Sequence, residues 1–501
     1  MNTQSNKNFS ILLLLAGTLL VGFSAGSWLV PLAAWIGPAL IMRYYRDQKI
    51  GRGYLLIIVA YILAFLIGFG GMWLGMWGMG MMSQLAVLYG FLWSLPYLAD
   101  RLISRRLSGF SSTFVYPLAA TTLEFVNIHT NPVGDWGATG FTQYGNLALM
   151  QLASVTGMIG ITFLMGWFAS VANWAWESRA RGSQISRGLG IFGTVLTAVF
   201  VFGFLRLNVS PLSESDETIR VAGITTATQL ELFEQAGGVP AWLNNPESAT
   251  AKSAVQSRWE AYFAETEREA RAGAQLVMWN EIAGLTSNSD LASLTARAQD
   301  VAKQNGIYLA VPLAVFYPAD TGKPYENTLL LIDPSGAIVL EHVKYGGAII
   351  ESIRLVGDGK LKTVNTPFGI LSGVICWDAD YPAVIRQAGQ KGVGLMLDPS
   401  SDKLPIDPIH THMAVFRAIE NGMSLVRQTE WGLSIAVDPY GRVLAQTDFF
   451  GSTDHTLVAQ VPVKHVTTVY SLFGSWLEWL CLIGFIIVVA RALFVRRVEE
   501  T

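Results

Sequence analysis

The sequence is 501 residues long, with 51% hydrophobic residues, 14% charged residues and a formal net charge of −3. Ordinary soluble domains have about 25% charged residues, so this composition excludes a simple soluble protein. The lack of net positive charge and of a basic stripe excludes a nucleic-acid-binding protein. Apolar runs dominate residues 1–207, whereas residues 208–470 resemble a soluble domain in composition. We therefore predict a membrane protein with an attached globular domain.

Eight apolar runs approach the length of about 20 residues that a membrane-spanning helix needs. They lie near residues 9–25, 27–43, 53–72, 84–100, 111–127, 148–174, 188–207 and 474–495. We predict a membrane domain of seven spans at residues 1–207, a globular domain at 208–470, and a last span with its tail at 471–501.

The positions of the basic residues predict the orientation of these spans. Lys and Arg occur in every second loop, whereas loops 73–83 and 128–147 contain neither. Because basic loops stay in the cytoplasm, both termini are predicted to be cytoplasmic and residues 208–470 extracytoplasmic. The expected location is the cell membrane, that is, the plasma or inner membrane.

The globular domain alternates between strand and helix patterns, which favours a single α/β domain. In chain order we predict strand 218–225, helix 251–272, strand 275–279, helix 290–305, strand 307–313, strands 325–333 and 337–343, strand 370–376, helix 380–391, strand 394–397, helix 409–422, and strands 423–428, 432–437 and 443–446. Turn sequences containing Pro and Gly, at 333–336 and 438–441, join the strand pairs.

Three chemically distinct side chains stand at the ends of predicted strands. Glu281 follows the run 276–279, Lys344 follows the run 338–343, and Cys376 closes the run 370–376. Because strand ends meet at one edge of an α/β sheet, we expect a carboxylate, an ammonium and a thiol to meet there. These groups supply a base, an electrostatic stabiliser and a nucleophile. The other cysteine, Cys481, lies in the last predicted span, so Cys376 has no disulfide partner in its domain.

The flanks of these residues resemble a known superfamily. Glu281 after an apolar strand, Lys344 after Glu-His-Val, and Cys376 in Gly-Val-Ile-Cys-Trp are similar to the Glu-Lys-Cys triad of the nitrilase, or carbon–nitrogen hydrolase, superfamily. The segment Arg-Ala-Ile-Glu-Asn-Gly at 417–422 agrees with it. One branch, apolipoprotein N-acyltransferase, places a multi-span domain before the catalytic domain, and the stretch 140–163 is similar to part of that membrane domain.

The resemblance implies a fold, an activity and a set of roles. The expected fold is an α-helical membrane domain plus a nitrilase-like α-β-β-α sandwich. The implied activity moves a fatty acyl chain from a phospholipid to the N-terminal amine of a lipidated cysteine on an apolipoprotein, through a Cys thioester. Cys376 would be the nucleophile and Glu281 the general base, with Lys344 and the backbone N–H of Trp377 stabilising the oxyanion. No cofactor or metal is implied.

Other polar residues have two readings. Glu351, seven residues after Lys344, is either the second active-site glutamate of the superfamily or a solvated loop residue. His410 and His412 are two apart on a predicted helix and point to different faces, so we interpret His410 as a packing or supporting residue and neither as a metal ligand. Glu124, in the fifth predicted span, is either functional or close to the outer interface.

The loops around the predicted site depart from the family pattern. Asn280 stands where the family has Pro, and residues 345–351 and 398–404 differ from its substrate-facing loops. This leaves open a membrane-anchored carbon–nitrogen hydrolase (an amidase) or an acyltransferase with a different amine acceptor. Seven upstream spans favour a lipid substrate. A transporter or receptor with a nitrilase-like ectodomain is a third hypothesis, which the intact triad disfavours.

Overall fold

The structure is a computed structural model that describes residues 2–107, 109–178, 182–209, 217–226, 248–317, 321–323, 325–348 and 354–494. The chain divides into two compact units. The first comprises Met1–Asn131, Asp135–Val209 and Phe473–Thr501, and the second comprises Pro132–Gly134 and Ser210–Leu472.

The first unit is helical, and helix covers each of the eight apolar runs. Its described α-helices are Asn2–Phe23, Pro31–Arg46, Ile50–Ile103, Val115–Thr130, Leu147–Met150, Ala153–Thr156, Ile159–Glu177, Gly182–Asn208 and Trp476–Phe494. One helix, Ile50–Ile103, replaces the predicted loop 73–83 and is interrupted at Gly78, where φ is 70° and ψ is 171°. Glycine tolerates that conformation, which explains why the break falls there.

Within the described ranges, three helices are long and apolar enough to cross a membrane. They are Ile50–Met72, Ile185–Asn208 and Trp476–Phe494. The pair Leu147–Thr156 and Ile159–Glu177, bent by 113°, would add a fourth if it formed one span. These helices indicate a membrane protein, and the total of eight spans stays a prediction.

Two buried acidic side chains of this unit, Glu124 and Asp100, have polar partners. Glu124 accepts hydrogen bonds from Thr162 at 2.9 Å and from Thr139 at 3.2 Å. Arg46 bridges Asp100 and Glu177, each at 3.0 Å. Because unpaired polar groups are costly in an apolar environment, these contacts stabilise the two buried carboxylates.

The second unit contains two sheets. Its strands are β1 (Thr218–Ile224), β2 (Leu276–Trp279), β3 (Gly284–Ser287), β4 (Tyr308–Phe316), β5 (Glu326–Ile332), β6 (Ile338–Val343), β7 (Thr363–Thr366), β8 (Gly369–Gly373), β9 (Leu395–Ser401), β10 (Ser424–Glu430), β11 (Leu433–Val437), β12 (Val443–Asp448) and β13 (Leu457–Pro462). One sheet has the order β13-β1-β2-β4-β5-β6, with β3 beside β4, and the other has the order β12-β11-β10-β9-β8-β7.

Two pairs of helices cover the outer faces of these sheets. The helices Ala249–Arg271 and Leu291–Asn305 pack on the first sheet, and the helix Ile409–Asn421 packs on the second and against the helix Pro382–Gln390. The sheets face each other through contacts of β2 with β9 and of β6 with β8. The predicted α-β-β-α sandwich is thus confirmed. Strands β1, β2 and β4 are parallel, as are β8, β9 and β10, so their carboxyl ends share an edge within each sheet.

Two predicted boundaries near the site were wrong. Strand β8 ends at Gly373, so Cys376 is outside the strand and begins a 3-10 turn, Cys376–Asp380. The apolar side chains of residues 374–377 are buried, and a buried apolar run of this kind is typical of a strand. Strand β9 continues to Ser401, although residues 398–401 were predicted as loop; their backbone pairs with β10.

Candidate active site

The carboxylate and the ammonium of the predicted triad form a buried ion pair. Glu281 follows β2 and Lys344 follows β6, and the Lys344 Nζ lies 2.6 Å from the Glu281 Oε1. The two side chains are 1% and 0% exposed. Because buried charges are costly unless they are paired, the ion pair fixes both groups at this point.

Two further donors orient the Glu281 carboxylate. The Asn327 Nδ2 donates to Oε1 at 2.8 Å, and the Ser401 backbone N–H donates to Oε2 at 3.0 Å. Asn327 belongs to β5 of the first sheet and Ser401 ends β9 of the second. The carboxylate is therefore held by both sheets of the sandwich.

The thiol stands on a strained backbone. Cys376 has φ of +52°, in the left-handed region that non-glycine residues rarely occupy. Such a conformation costs about 1–3 kcal/mol and persists only where neighbours impose it. Its backbone N–H donates to the Asp398 Oδ1 at 2.8 Å, so Asp398 is one of those neighbours.

Burial and the surrounding charges control the thiol. Burial and the Glu281 charge raise the pKa of Cys376 well above its usual range, and Lys344 opposes them. The resting thiol is therefore protonated at neutral pH, and Cys376 needs a base to become a nucleophile. The charged groups that act on it include the predicted base and the predicted stabiliser.

Asp378, which the sequence analysis missed, links the segment that follows Lys344 to the 3-10 turn Cys376–Asp380. Its Oδ1 accepts the backbone N–H groups of Tyr345 at 2.9 Å and Gly346 at 2.6 Å. Its Oδ2 accepts from Ile375 N–H at 2.9 Å and contacts His342 Nε2 at 2.7 Å. Burial alone would raise the pKa of Asp378, but the hydrogen bond from His342 and the backbone donors outweigh it and lower that pKa.

A second group of buried charges lies beside Cys376 in alternating order. Asp398 contacts Arg427 at 2.5 Å, and Arg427 contacts Asp402 at 3.3 Å. Asp402 contacts His410 at 2.6 Å, and His410 contacts Asp380 at 3.0 Å. We call these five residues the charge chain. Of these five, the sequence analysis singled out only His410, as a packing or supporting residue.

Ligand atoms of Cys376, Asp402 and His410 lie within 4.8 Å of one another, a spacing that a metal ion could also use. Both ring nitrogens of His410 already contact carboxylates, and the Arg427 Nη2 lies 2.9 Å from Nδ1. A metal would have to displace these contacts beside a fixed positive charge. The donor set fits an ion-pair network better.

The remaining predicted residues have different outcomes. Trp377 is the second residue of the 3-10 turn, is 5% exposed and contacts the His410 ring at a centroid distance of 5.0 Å. Glu351 lies outside the described residues. His410 is a buried member of the charge chain, in line with its interpretation as a supporting residue.

Two family models match the chain. The carbon–nitrogen hydrolase model matches residues 241–470, and the apolipoprotein N-acyltransferase N-terminal domain model matches residues 15–171. The apolipoprotein N-acyltransferase of Geobacter metallireducens is 22% identical over 437 residues, which cover 81% of this chain and 80% of that relative. The one from Rhodopseudomonas palustris is 26% identical, over 72% of this chain and 69% of its own.

Among solved structures, an amidase from Nesterenkonia sp. is similar to half of this chain, with 20% sequence identity and a TM-score of 0.38. The similarity covers 50% of this chain and 94% of the amidase. The family models match both the helical region and the sandwich, and curated relatives align with most of the chain. The chain belongs to the apolipoprotein N-acyltransferase family of the carbon–nitrogen hydrolase superfamily.

Proposed function

We propose that this enzyme transfers a fatty acyl chain from a membrane phospholipid to the N-terminal amine of a lipidated cysteine on apolipoproteins. The observation that carries the proposal is the buried Glu281–Lys344 pair whose charges act on the thiol of Cys376. This arrangement occurs in a chain whose helical part matches an N-acyltransferase domain. The names of the relatives support a lipoprotein acceptor.

In the first half-reaction, Glu281 accepts the Cys376 proton as Sγ attacks the ester carbonyl carbon of the phospholipid. An S–C bond forms and the carbonyl oxygen becomes an oxyanion. When the C–O bond to the glycerol oxygen breaks, Glu281 returns the proton to that oxygen, and lysophospholipid leaves. The product on the enzyme is a thioester at Cys376.

In the second half-reaction, the amine of the acceptor attacks the thioester. A C–N bond forms, the C–S bond breaks, and the proton lost by the amine passes through Glu281 back to the Cys376 sulfur. The enzyme is regenerated and the acceptor carries an amide. Since the Cys376 side chain is buried in the resting structure, exclusion of water would protect the thioester from hydrolysis between the two steps.

Oxyanion stabilisation is assigned to Lys344 and to the backbone N–H of Trp377. The backbone N–H of Cys376 already donates to Asp398, so it is not assigned as a donor to the oxyanion. Each well-placed donor lowers the barrier by about 3–4 kcal/mol. Lys344 is held on Glu281 in the resting state and can follow the negative charge as it moves to the substrate.

We also assign a topology to the enzyme. Residues 1–207 would form seven spans, 208–470 the extracytoplasmic catalytic domain, and 471–501 the last span with a cytoplasmic tail. The alternation of basic and neutral loops supports this orientation, and the division into two compact units near residues 209 and 472 supports the domain limits.

The acceptor can be tested in cells. Mass spectrometry of lipoprotein N-terminal peptides should show an amide-linked acyl chain when the gene is present and its absence when the gene is removed. A gene encoding Cys376→Ala should behave like the deletion. If the N-terminal masses are the same in all three strains, the lipoprotein acceptor is wrong. Cleavage of small amides by the purified protein would then favour the amidase alternative.

A further inference from the structure

The two ends of the nucleophile turn, Cys376–Asp380, are tied to the same buried charges. At its first residue, the Cys376 N–H donates to Asp398, which pairs with Arg427. At its last residue, the Asp380 carboxylate contacts the His410 Nε2 at 3.0 Å. Between these ends, the His410 ring contacts the ring of Trp377. His410 therefore contacts the turn at Asp380 and at Trp377. Through the other members of the charge chain it is also connected to the backbone N–H of Cys376.

The contacts of His410 with two carboxylates favour a proton on each ring nitrogen. Nδ1 lies 2.6 Å from the Asp402 Oδ1, and Nε2 lies 3.0 Å from the Asp380 Oδ2. A carboxylate oxygen only accepts hydrogen bonds, so a neutral imidazole, with one N–H, would leave two acceptors facing each other at one of these contacts. The Arg427 Nη2, 2.9 Å from Nδ1, could donate to an unprotonated nitrogen, but the shorter Nδ1–Oδ1 contact of 2.6 Å favours a hydrogen on Nδ1 that Asp402 accepts.

We propose that His410, as an imidazolium, is a positioning residue that holds both ends of the nucleophile turn and thereby sets the rate at which Cys376 is acylated. The ring does not act on substrate. It fixes Asp380 directly, and it fixes Asp402 and hence Arg427 and Asp398, which hold the strained backbone of Cys376. The inference rests on the proposed function only in taking Cys376 as the nucleophile.

The proposal has a pH signature. Burial lowers the pKa of His410, but the carboxylates of Asp380 and Asp402 outweigh it and raise that pKa to about 9. The stabilisation of the turn by the His410 imidazolium is therefore complete below the ordinary pKa of 6.5. It is lost as pH rises through about 9. The titratable and charged groups facing His410 are Asp380 and the Cys376 thiol in the turn, Asp402 after β9 and Arg427 on β10. Deprotonation of the Cys376 thiol would act in the opposite direction, since the thiolate is the nucleophile.

Two substitutions of His410 separate its contact with Asp380 from its contact with Asp402. In His410→Gln the side-chain amide replaces the donor at Nε2, facing Asp380, and in His410→Asn it replaces the donor at Nδ1, facing Asp402. Each variant is uncharged and keeps one of the two donors. His412→Gln, on the same helix but outside the charge chain, is the matched control.

The measurement is the burst of p-nitrophenolate when the purified full chain reacts with p-nitrophenyl butyrate, followed from pH 6 to pH 10 with Cys376→Ala as background. The burst amplitude counts intact sites, so its rate constant refers to folded molecules only. The ratio of the wild-type rate constant to that of each His410 variant should fall with a midpoint near pH 9, and His412→Gln should follow the wild type. Both His410 variants should be slower than the wild type at pH 7, by up to about a hundredfold, and this difference should be lost by pH 10.

Two results would overturn the proposal. One is a wild-type rate constant and pH profile in both His410 variants. The other is a ratio of the wild-type rate constant to that of each His410 variant that stays constant from pH 6 to pH 10, because titration of the Cys376 thiol is common to all of them and cancels in the ratio. Because the ester contains no phospholipid, a normal burst without acylation by phospholipid would contradict the proposed function and leave the role of His410 intact.

Discussion

At the scale of single residues, Asp378 accepts four hydrogen bonds and so couples the position of Lys344 to that of Cys376. Two of its donors follow Lys344 directly, and a third, Ile375, precedes Cys376. His342 supplies the fourth contact. A carboxylate with two oxygens can satisfy all four, whereas an amide cannot, because its Nδ2 is a donor.

We predict that Asp378→Asn slows acyl transfer at least about tenfold and destabilises the protein by about 1–3 kcal/mol at neutral pH, because donors are left facing a donor. The folded pKa of Asp378 is lowered from 3.8, so its contribution is present above that value and is lost as pH falls below it. Thermal unfolding should therefore show a stability difference that shrinks below about pH 4. Asp358→Asn, at an exposed carboxylate, is the control; equal losses in the two variants would contradict the role of Asp378.

The grouping of Glu281, Lys344 and Cys376 could be predicted from the sequence, whereas the contacts that support it could not. Glu281, Lys344 and Cys376 each follow an apolar run, and that pattern is visible without a structure. The supporting contacts join residues far apart in the chain, such as Asp398 with Cys376 and Arg427 with Asp402. The sequence around Asp398 does not indicate which of many buried polar groups Asp398 will contact.

At the scale of elements, the segment after β6 packs directly against the nucleophile turn. A Cβ at Gly346 would meet the Trp377 backbone oxygen and, at 2.8 Å, the Asp378 nitrogen. Both are backbone atoms, which cannot move aside as a flexible side chain can. The close approach of these two segments is thus possible because residue 346 is a glycine.

We predict that Gly346→Ala separates the segment from the turn and lowers the rate of Cys376 acylation by up to about a hundredfold. The measurement is the same ester burst, with Gly451→Ala as control, because a Cβ there makes only ordinary contacts with Asp448 at 3.6–3.8 Å. A normal rate in Gly346→Ala would show that the close approach does not matter for catalysis.

Most elements of the sandwich could be predicted, and the exceptions share a cause. The strands β3, β7 and β13 were not predicted, and each has only four to six residues. Their pairing partners, β4, β8 and β1, supply the hydrogen bonds that define them. A strand of four to six residues at a sheet edge is thus determined by its neighbour more than by its own residues.

At the scale of the whole molecule, the orientation is predicted from loop charges alone. Single cysteines at positions 48 and 104 should be protected from a membrane-impermeant thiol reagent in intact cells, and a cysteine at position 300 should react. The background is Cys376→Ala, with buried Cys481 retained. Labelling at position 48 or 104 but not at 300 would place the catalytic domain in the cytoplasm and contradict the extracytoplasmic topology.

The central claim is that Cys376 carries an acyl group taken from a phospholipid. Purified protein incubated with phospholipid and no acceptor should gain one acyl mass on the peptide containing Cys376, and neutral hydroxylamine should remove it, as expected for a thioester. Glu281→Gln should prevent the adduct, because the raised pKa of the thiol makes a base necessary. Addition of a peptide with a lipidated N-terminal cysteine should discharge the adduct into an amide. Release of free fatty acid with no adduct on Cys376, or an adduct that forms equally in Cys376→Ala, would contradict the account.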